Sequence, residues 1–219
     1  MTLRRSGEPD YPSRCADTEC RRVEGIVSIP PDAKGIVLFV HGSGSSRFSP
    51  RNQEVALQLQ DAGLITLLFD LLTEEEERID RETQHLRFDI RLLARRTAGV
   101  LEWLDLEPYA HDLKIGLFGS SSGAAAALIA AAELPDRVSA FVSRGGRPDL
   151  AEEILPDVQA PTLLIVGEWD EEVLKLNEQA LSQAQERDRE EASHCAGCDP
   201  FVRRAGGVGK SRRAGEGLV

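Results

Sequence analysis

The five residues Gly119-Ser120-Ser121-Ser122-Gly123 have the composition and spacing of a nucleophile turn, GxSxG. An apolar run precedes them and an alanine-rich helical pattern follows, which is the strand-turn-helix context that such a turn requires. The central serine of this turn adopts a strained backbone, and a side chain at either glycine would collide with neighbouring elements. The alternative is a glycine-rich turn that binds phosphate at a helix N-terminus. Ser121 is therefore a candidate nucleophile.

A second small-residue turn, His41-Gly42-Ser43-Gly44-Ser45-Ser46, directly follows the apolar run GIVLFV. Such a turn lets a backbone N–H point at the negative oxygen that develops during acyl transfer, and the second donor is the residue after the nucleophile. We predict the N–H groups of Ser43 and Ser122 as these donors. For the His41 side chain we favour a packing or hydrogen-bonding role over proton transfer.

An acidic turn, Gly167-Glu168-Trp169-Asp170-Glu171, follows the apolar run TLLIV. The acid of a Ser–Asp–His triad is expected here in this chain order, where it holds a histidine in the correct tautomer. We predict Asp170 as that acid, in preference to Glu168 or Glu171. The alternative for Asp170 is an aspartate that only caps the next helix.

The elements that must position these residues alternate between short apolar runs and longer amphipathic ones, the pattern of a parallel sheet wrapped by helices. The fold class is therefore α/β. Thr73 followed by four glutamates predicts a capped helix start whose acids are solvated. The predicted strands are Val23–Ile29, Gly35–Val40, Ile65–Asp70, Lys114–Phe118, Val138–Ser143 and Thr162–Val166. The predicted helices are Arg51–Ala62, Arg87–Leu104, Gly123–Leu134, Asp149–Leu155 and Val173–Ala184.

Taken together, several segments resemble the small α/β-hydrolases of the dienelactone hydrolase family. The resemblance implies a three-layer α/β-hydrolase fold with a mostly parallel sheet, and a Ser or Cys, an Asp and a His at the carboxyl ends of its strands. Ser121 and Asp170 match the first two. Dienelactone hydrolases proper use a cysteine, so the serine implies hydrolysis of ester or related acyl bonds rather than that particular substrate. The segments are HGSGSSRFSPRN, LLFDLL, LRFDIRLLA, FGSSSGAAAAL, SRGGRPDL and PTLLIVGEWDEEVL.

The third catalytic group is where the family pattern breaks. His194 is the only histidine after Asp170 and so the candidate base, but no predicted strand precedes it. We divide the chain into an N-terminal extension (1–22), a hydrolase domain (23–184) and a non-native or disordered tail (185–219). The last strand and helix of the fold are then missing or disrupted.

The genetic code suggests an origin for this tail. Codons for residues 195–200, read from the second base, permit Val-Pro-Gly-Ala-Thr-His, and the shifted frame continues with an acidic helix start. This resembles the ending of the family, with the missing histidine straddling the codon of Pro200. We predict a one-base frameshift between about Ser182 and Glu190, in which case Cys195, Cys198, His194 and the basic tail are out-of-frame products.

Composition limits the remaining possibilities. Twenty-six basic against 37 acidic residues give a net charge of −11, which opposes binding to nucleic acid or anionic lipid. No stretch approaches the roughly 20 apolar residues of a membrane span, and no signal peptide is recognisable, so we expect a cytoplasmic protein acting on a small molecule without a cofactor. A zinc site formed by the four cysteines is a weak alternative, and a catalytically inactive hydrolase fold or a damaged gene product is the alternative function. The cysteines are Cys15, Cys20, Cys195 and Cys198.

Overall fold

The computed structural model describes residues 2–5, 11–12, 23–167, 169–194 and 208–211, and side chains within residues 23–183. Its strands are β1 (Thr2–Arg5), β2 (Tyr11–Pro12), β3 (Glu24–Ser28), β4 (Ile36–Val40), β5 (Ile65–Phe69), β6 (Ile115–Ser121), β7 (Val138–Gly146), β8 (Thr162–Gly167) and β9 (Val208–Ser211). Its α-helices are α1 (Pro50–Asp61), α2 (Glu74–Thr83), α3 (Ile90–Leu104), α4 (Ser122–Glu133) and α5 (Glu171–His194). Short 3-10 segments cover Leu86–Phe88, Pro108–Ala110 and Pro148–Asp157.

The strands form one sheet in the order β2-β1-β3-β5-β4-β6-β7-β8-β9. Strands β4 to β8 are mutually parallel, whereas β3 runs antiparallel to β5. The predicted mostly parallel α/β-hydrolase sheet is thus confirmed. After β5 the chain crosses over β4 to reach β6, so strand order reverses between β4 and β6. In open α/β sheets ligands bind at the carboxyl ends of the strands at such a reversal, and both predicted small-residue turns begin there.

The two faces of the sheet bury different clusters, because successive side chains of a strand point to opposite sides. In β4, Leu38 and Val40 belong to the large cluster that includes residues of α3 and α4. Phe39, between them, packs with Ala56 of α1 and Phe118 of β6 in a smaller cluster. Helices therefore cover both faces, which explains why these strands are apolar without alternation.

Helix α2 begins as predicted, with a reciprocal capping box between Thr73 and Glu76. The Thr73 hydroxyl accepts the Glu76 N–H at 3.2 Å, and the Glu76 carboxylate accepts the Thr73 N–H at 2.9 Å. The expectation that all four acids are solvated is wrong for Glu76, which is buried and accepts a 2.8 Å bond from Arg96. An acid at N3 of a capping box turns back onto the helix start, and here the core lies on that side.

The structure also departs from the predicted elements at both ends of the chain. Strands β1, β2 and β9 were not predicted, because these short outer strands are held by backbone pairing and need no apolar pattern. Helix α5 continues to His194 instead of ending at Ala184, since its last turns consist largely of good helix formers. The helix predicted at Asp149–Leu155 lies within the 3-10 segment Pro148–Asp157. Among the described helices, none combines the length and apolar character that crossing a bilayer requires.

Candidate active site

Ser121 lies at the junction of β6 and α4, in a backbone conformation that L-residues rarely adopt. Its φ is +50° and its ψ is −131°, and its side chain is exposed. Positive φ at a non-glycine residue is strained and persists only when the surroundings hold it in place. Ser121 is the last residue of the parallel strand β6, and α4 begins at the next residue. The predicted strand-turn-helix context of the serine is confirmed.

The flanking glycines are required by contacts with backbone. A Cβ on Gly123 would lie 2.2 Å from the carbonyl oxygen of His41, and one on Gly119 would lie 2.6 Å from Cα of Ala124. Gly42, in the neighbouring turn, faces the serine itself, since a Cβ there would lie 2.7 Å from Cβ of Ser121. These glycines let the two turns approach each other.

His41 is buried and both of its ring nitrogens are engaged by backbone. Leu71 N–H donates to Nε2 at 3.2 Å, so Nε2 carries no proton and Nδ1–H donates to the Gly42 carbonyl at 2.9 Å. Burial lowers the pKa of His41 below its ordinary value, although the Gly42 carbonyl and the charge of Asp70 act in the opposite direction. The side chain is thus a neutral support for the turn, as predicted.

The predicted oxyanion donors, Ser43 and Ser122, are brought into direct contact. Ser43 N–H donates to the Ser122 hydroxyl oxygen at 3.0 Å, and the two hydroxyl oxygens lie 2.7 Å apart. The Ser43 hydroxyl donates to the Arg87 carbonyl at 2.9 Å, so the proton between the hydroxyls comes from Ser122. The Ser122 hydroxyl therefore occupies the Ser43 N–H. The Ser122 N–H belongs to the first turn of α4, where N–H groups have no partner within the helix.

Asp80 and Arg87, which were not predicted from the sequence, stabilise the segment whose Arg87 carbonyl accepts the Ser43 hydroxyl. The buried Asp80 carboxylate accepts the N–H groups of Leu86 at 2.8 Å and Arg87 at 3.1 Å and pairs with the Arg87 guanidinium. Burial raises the pKa of Asp80, but these bonds outweigh it and hold the pKa below its ordinary value. In the sequence, Asp80 is one more acid of a strongly acidic helix, and nothing local distinguishes it.

Asp170 lies in the turn after β8, at the same edge of the sheet as Ser121. Its Oδ1 accepts the Val173 N–H at 3.3 Å and its carbonyl accepts the Leu174 N–H at 2.8 Å, so it caps α5. The carboxylate is exposed, and the capping bond leaves its second oxygen for another donor. The capping role left open by the sequence is therefore observed, and it does not exclude a role towards a histidine.

His194, the predicted base, is the last residue of α5, whereas Asp170 lies in the turn before this helix. Asp170 precedes α5 and His194 ends it, and a helix of 24 residues spans about 36 Å. The two residues thus lie at opposite ends of one helix, well beyond side-chain reach. The sequence predicts a helix that ends at Ala184, so the separation of Asp170 and His194 did not follow from it. In the part of the chain that the structure describes, no histidine is hydrogen-bonded to Ser121 or Asp170.

Three arginines near this edge could contact an acidic substrate, and the structure distinguishes them. Arg47 pairs with Asp70 and Glu24, and Arg147 makes two 2.8 Å bonds to Asp149. Arg144 instead donates to Asn52 Oδ1 at 2.9 Å and lies over the Phe118 ring. Burial and the charge of Arg51 lower the pKa of Arg144.

The structure offers no support for a metal centre within its described residues, where no group of three His, Cys, Asp or Glu side chains could hold an ion. The four cysteines of the alternative zinc site lie outside the described residues. Glu168, the alternative to Asp170, and Pro200, whose codon the predicted histidine would straddle, also lie outside the described residues.

A strained serine between two sterically required glycines, at the carboxyl edge of a mostly parallel sheet, defines an α/β-hydrolase fold. The dienelactone hydrolase family matches residues 23–193, and the chain belongs to that family. The structure is similar to a dienelactone hydrolase from Anabaena variabilis, with 58% identity and a TM-score of 0.75 over 79% of this chain and 80% of that one. Est1E from Butyrivibrio proteoclasticus, at 13% identity, shares the fold with a TM-score of 0.60, over 76% of this chain and 84% of that one.

Two Mycobacterium tuberculosis proteins, from strains CDC 1551 and H37Rv, carry the name of a phosphoribosyl transferase. Each is 54% identical to this chain over 158 residues, which are 72% of this chain. The chain spans only 35% of the length of these relatives. Their name describes much longer proteins and is therefore not transferred to this chain.

Proposed function

We propose that this chain hydrolyses ester or related acyl bonds with Ser121 as the nucleophile. The observation that carries the proposal is the strained, exposed Ser121 at the first turn of α4, where backbone N–H groups and the helix dipole favour negative charge. A structural serine would have no need of such a conformation. The open, short connection between β7 and β8, which holds only the 3-10 segment Pro148–Asp157, favours a small-molecule substrate.

In the proposed reaction, Oγ of Ser121 adds to the carbonyl carbon and its proton passes to a base. The negative oxygen is stabilised by backbone N–H groups, of which Ser122 N–H is the available donor and Ser43 N–H becomes one when the Ser122 hydroxyl rotates away. The leaving alkoxide takes the proton, and a water molecule then hydrolyses the acyl-serine, releasing the acid and restoring the hydroxyl.

We further propose that this chain is impaired, because the base of the scheme is a histidine that it lacks. His41 is engaged by backbone on both nitrogens, and the backbone of His194 lies at the far end of α5. What remains is stabilisation of the negative oxygen and substrate binding, which in well-studied triads still accelerates the reaction roughly 10³- to 10⁴-fold over water. The alternative is a fold that has lost catalysis altogether.

A fluorophosphonate probe distinguishes these functions, because Oγ must displace fluoride from phosphorus and only a reactive serine does so. We expect slow, stoichiometric labelling that peptide mapping assigns to Ser121 and that Ser121→Ala abolishes. Ser120→Ala should keep the labelling, and Ser122→Ala should keep much of it because its backbone N–H remains. Absence of labelling in the wild-type chain would support the inactive fold, and equal labelling of Ser121→Ala would remove the serine assignment.

A further inference from the structure

Asn177 is a buried polar residue on the apolar face of α5. Its exposed fraction is 0%, and it lies one turn from Val173 and one turn from Ala180, which is also buried. The sequence gives this position the spacing of a core residue, for which an apolar side chain would be typical. Buried side-chain amides are nearly always hydrogen-bonded, so the partners of this residue indicate its role.

The hydrogen bonds of Asn177 are directed at backbone on one side only. Its Nδ2 donates to the Gly146 carbonyl at 2.9 Å and to the Val173 carbonyl at 2.8 Å. Its Oδ1 has no partner among the described residues. An unpaired buried oxygen costs free energy, so the residue is poorly explained by stability alone. The specific feature that it provides is the bond to Gly146.

Gly146 lies opposite Ser121 because the end of β7 is irregular. The pairing of β6 and β7 shifts register between Ser120 and Ser121, and Gly145 has a φ of +53°. After this bulge, Arg147 N–H donates to the Ser121 carbonyl at 3.0 Å. The residue that follows the bulge is thus hydrogen-bonded to the backbone of the nucleophile.

Two peptide groups connect Asn177 to the oxyanion donor. The Gly146 carbonyl and the Arg147 N–H belong to one planar peptide group, and the Ser121 carbonyl and the Ser122 N–H belong to another. The bonds therefore run in one direction, from Asn177 Nδ2 through the first group to the second and end at the Ser122 N–H. We name this series of bonds the amide relay.

We propose that Asn177 is a positioning residue that orients and polarises the Ser122 N–H through the amide relay; this inference rests on the proposed function. Each carbonyl that accepts a hydrogen bond makes the N–H of the same peptide group a better donor. The relay also fixes the plane of the peptide after Ser121, whose strained φ needs such support. Because the Ser122 hydroxyl occupies the Ser43 N–H, the Ser122 N–H is the donor on which the reaction depends most.

The relay is tested first by amide hydrogen exchange, which does not depend on activity. Asn177→Leu keeps the volume and removes the donor, and Asn177→Ala removes the donor without any possible clash. In both variants we expect the Arg147 amide to exchange roughly 10-fold faster or more, because its peptide group is no longer held. Gln60→Leu is the matched control, since it removes an amide-to-hydroxyl bond to Thr66 in another part of the fold. It should leave the Arg147 amide unchanged.

The catalytic consequence is tested on the phosphonylation of Ser121, whose transition state places negative charge on oxygen. We expect the Asn177 variants to lower the limiting rate about 10-fold, less than the loss of a whole donor, while half-saturating probe concentration stays constant. A merely structural role would change labelling in proportion to unfolding, so thermal melts are recorded for each variant. Gln60→Leu should label like the wild-type chain.

Each outcome has a distinct meaning. Faster exchange at Arg147 together with a lower limiting rate supports the relay. Unchanged exchange in both Asn177 variants overturns it, and so does faster exchange with an unchanged limiting rate, although the proposed function then stands if Ser121→Ala is unlabelled. A wild-type chain that is not labelled at Ser121 overturns the proposed function and this role with it.

Discussion

Ser121 is held in a conformation that costs roughly 1–3 kcal/mol at a non-glycine residue, and its neighbours supply the restraint. Gly119 lets α4 pack closely against β6, and Gly123 lets α4 pack closely against the turn after β4. The Arg147 N–H holds the carbonyl of Ser121 through a hydrogen bond. The sequence predicts the glycines and the serine because the requirement is local to five residues. The contacts of Ser122 with Ser43 and the bond of Asn177 to Gly146 join distant segments, and no local pattern encodes them.

His41 gives a titration that can be isolated at the residue scale. Because burial lowers its pKa, the unfolded chain binds a proton below pH 6.5 while the folded chain does not, so stability falls as the pH falls. In the wild-type chain this loss of unfolding free energy amounts to at most about 1.4 kcal/mol per pH unit below pH 6.5. We expect His41→Gln, which keeps an acceptor for Leu71 N–H, not to show it.

Urea unfolding between pH 7.5 and 5 measures this difference. A gap between His41→Gln and the wild-type chain that stays constant with pH would contradict the assignment of a buried neutral imidazole.

At the scale of elements, the six central strands were predicted because continuous apolar runs are typical of strands covered on both faces. The cap of α2 was predicted for an equally local reason, a threonine followed directly by four glutamates. The short outer strands β1, β2 and β9 were not, since backbone pairing alone leaves little trace in the sequence. The predicted end of α5 at Ala184 was wrong, because helix-forming residues prolong a helix without any apolar period.

The packing of α4 against β4 predicts opposite effects for two glycine substitutions. Gly123→Ala would place Cβ 2.2 Å from the His41 carbonyl oxygen, so α4 must move and we expect a loss of roughly 1–3 kcal/mol in unfolding free energy. Gly99→Ala, in the interior of α3, meets no atom within 4 Å and should gain about 0.5–1 kcal/mol from helix propensity. Urea denaturation compares them, and equal effects of the two substitutions would show that the close approach of the turns is not restrictive.

At the scale of the whole molecule, the division into a hydrolase domain and a tail remains a prediction. Every core residue that the structure describes lies between Val23 and Leu181. Truncation after Ala184 keeps all of them, and of the described elements it removes only the end of α5 and the edge strand β9. We therefore expect the melting temperature to change by no more than a few degrees. A large drop would show that residues 185–219 pack on the domain, and an equal drop on adding a chelator to the full chain would favour the zinc site.

The second prediction at the scale of the whole molecule concerns the encoding DNA, because the proposed frameshift specifies its codons. Bases between about codons 182 and 190 should restore, on a one-base shift, a reading that ends in the family's histidine across the codon of Pro200. Codons that do not give this shifted reading would remove the proposal. The physical reason for expecting it is that Ser121 and Asp170 lie at one edge of the sheet while no described histidine joins them.

The most direct test of the account compares p-nitrophenyl acetate hydrolysis by the chain as written and by a frame-restored chain. We predict that the restored frame replaces β9 with the last strand of the family and brings the following histidine within reach of Asp170. We therefore expect its kcat/KM to be on the order of 10³-fold higher or more, and Ser121→Ala to abolish the gain. Ordinary enzymatic rates in the chain as written, destroyed by His194→Ala, would contradict the account and make His194 the base.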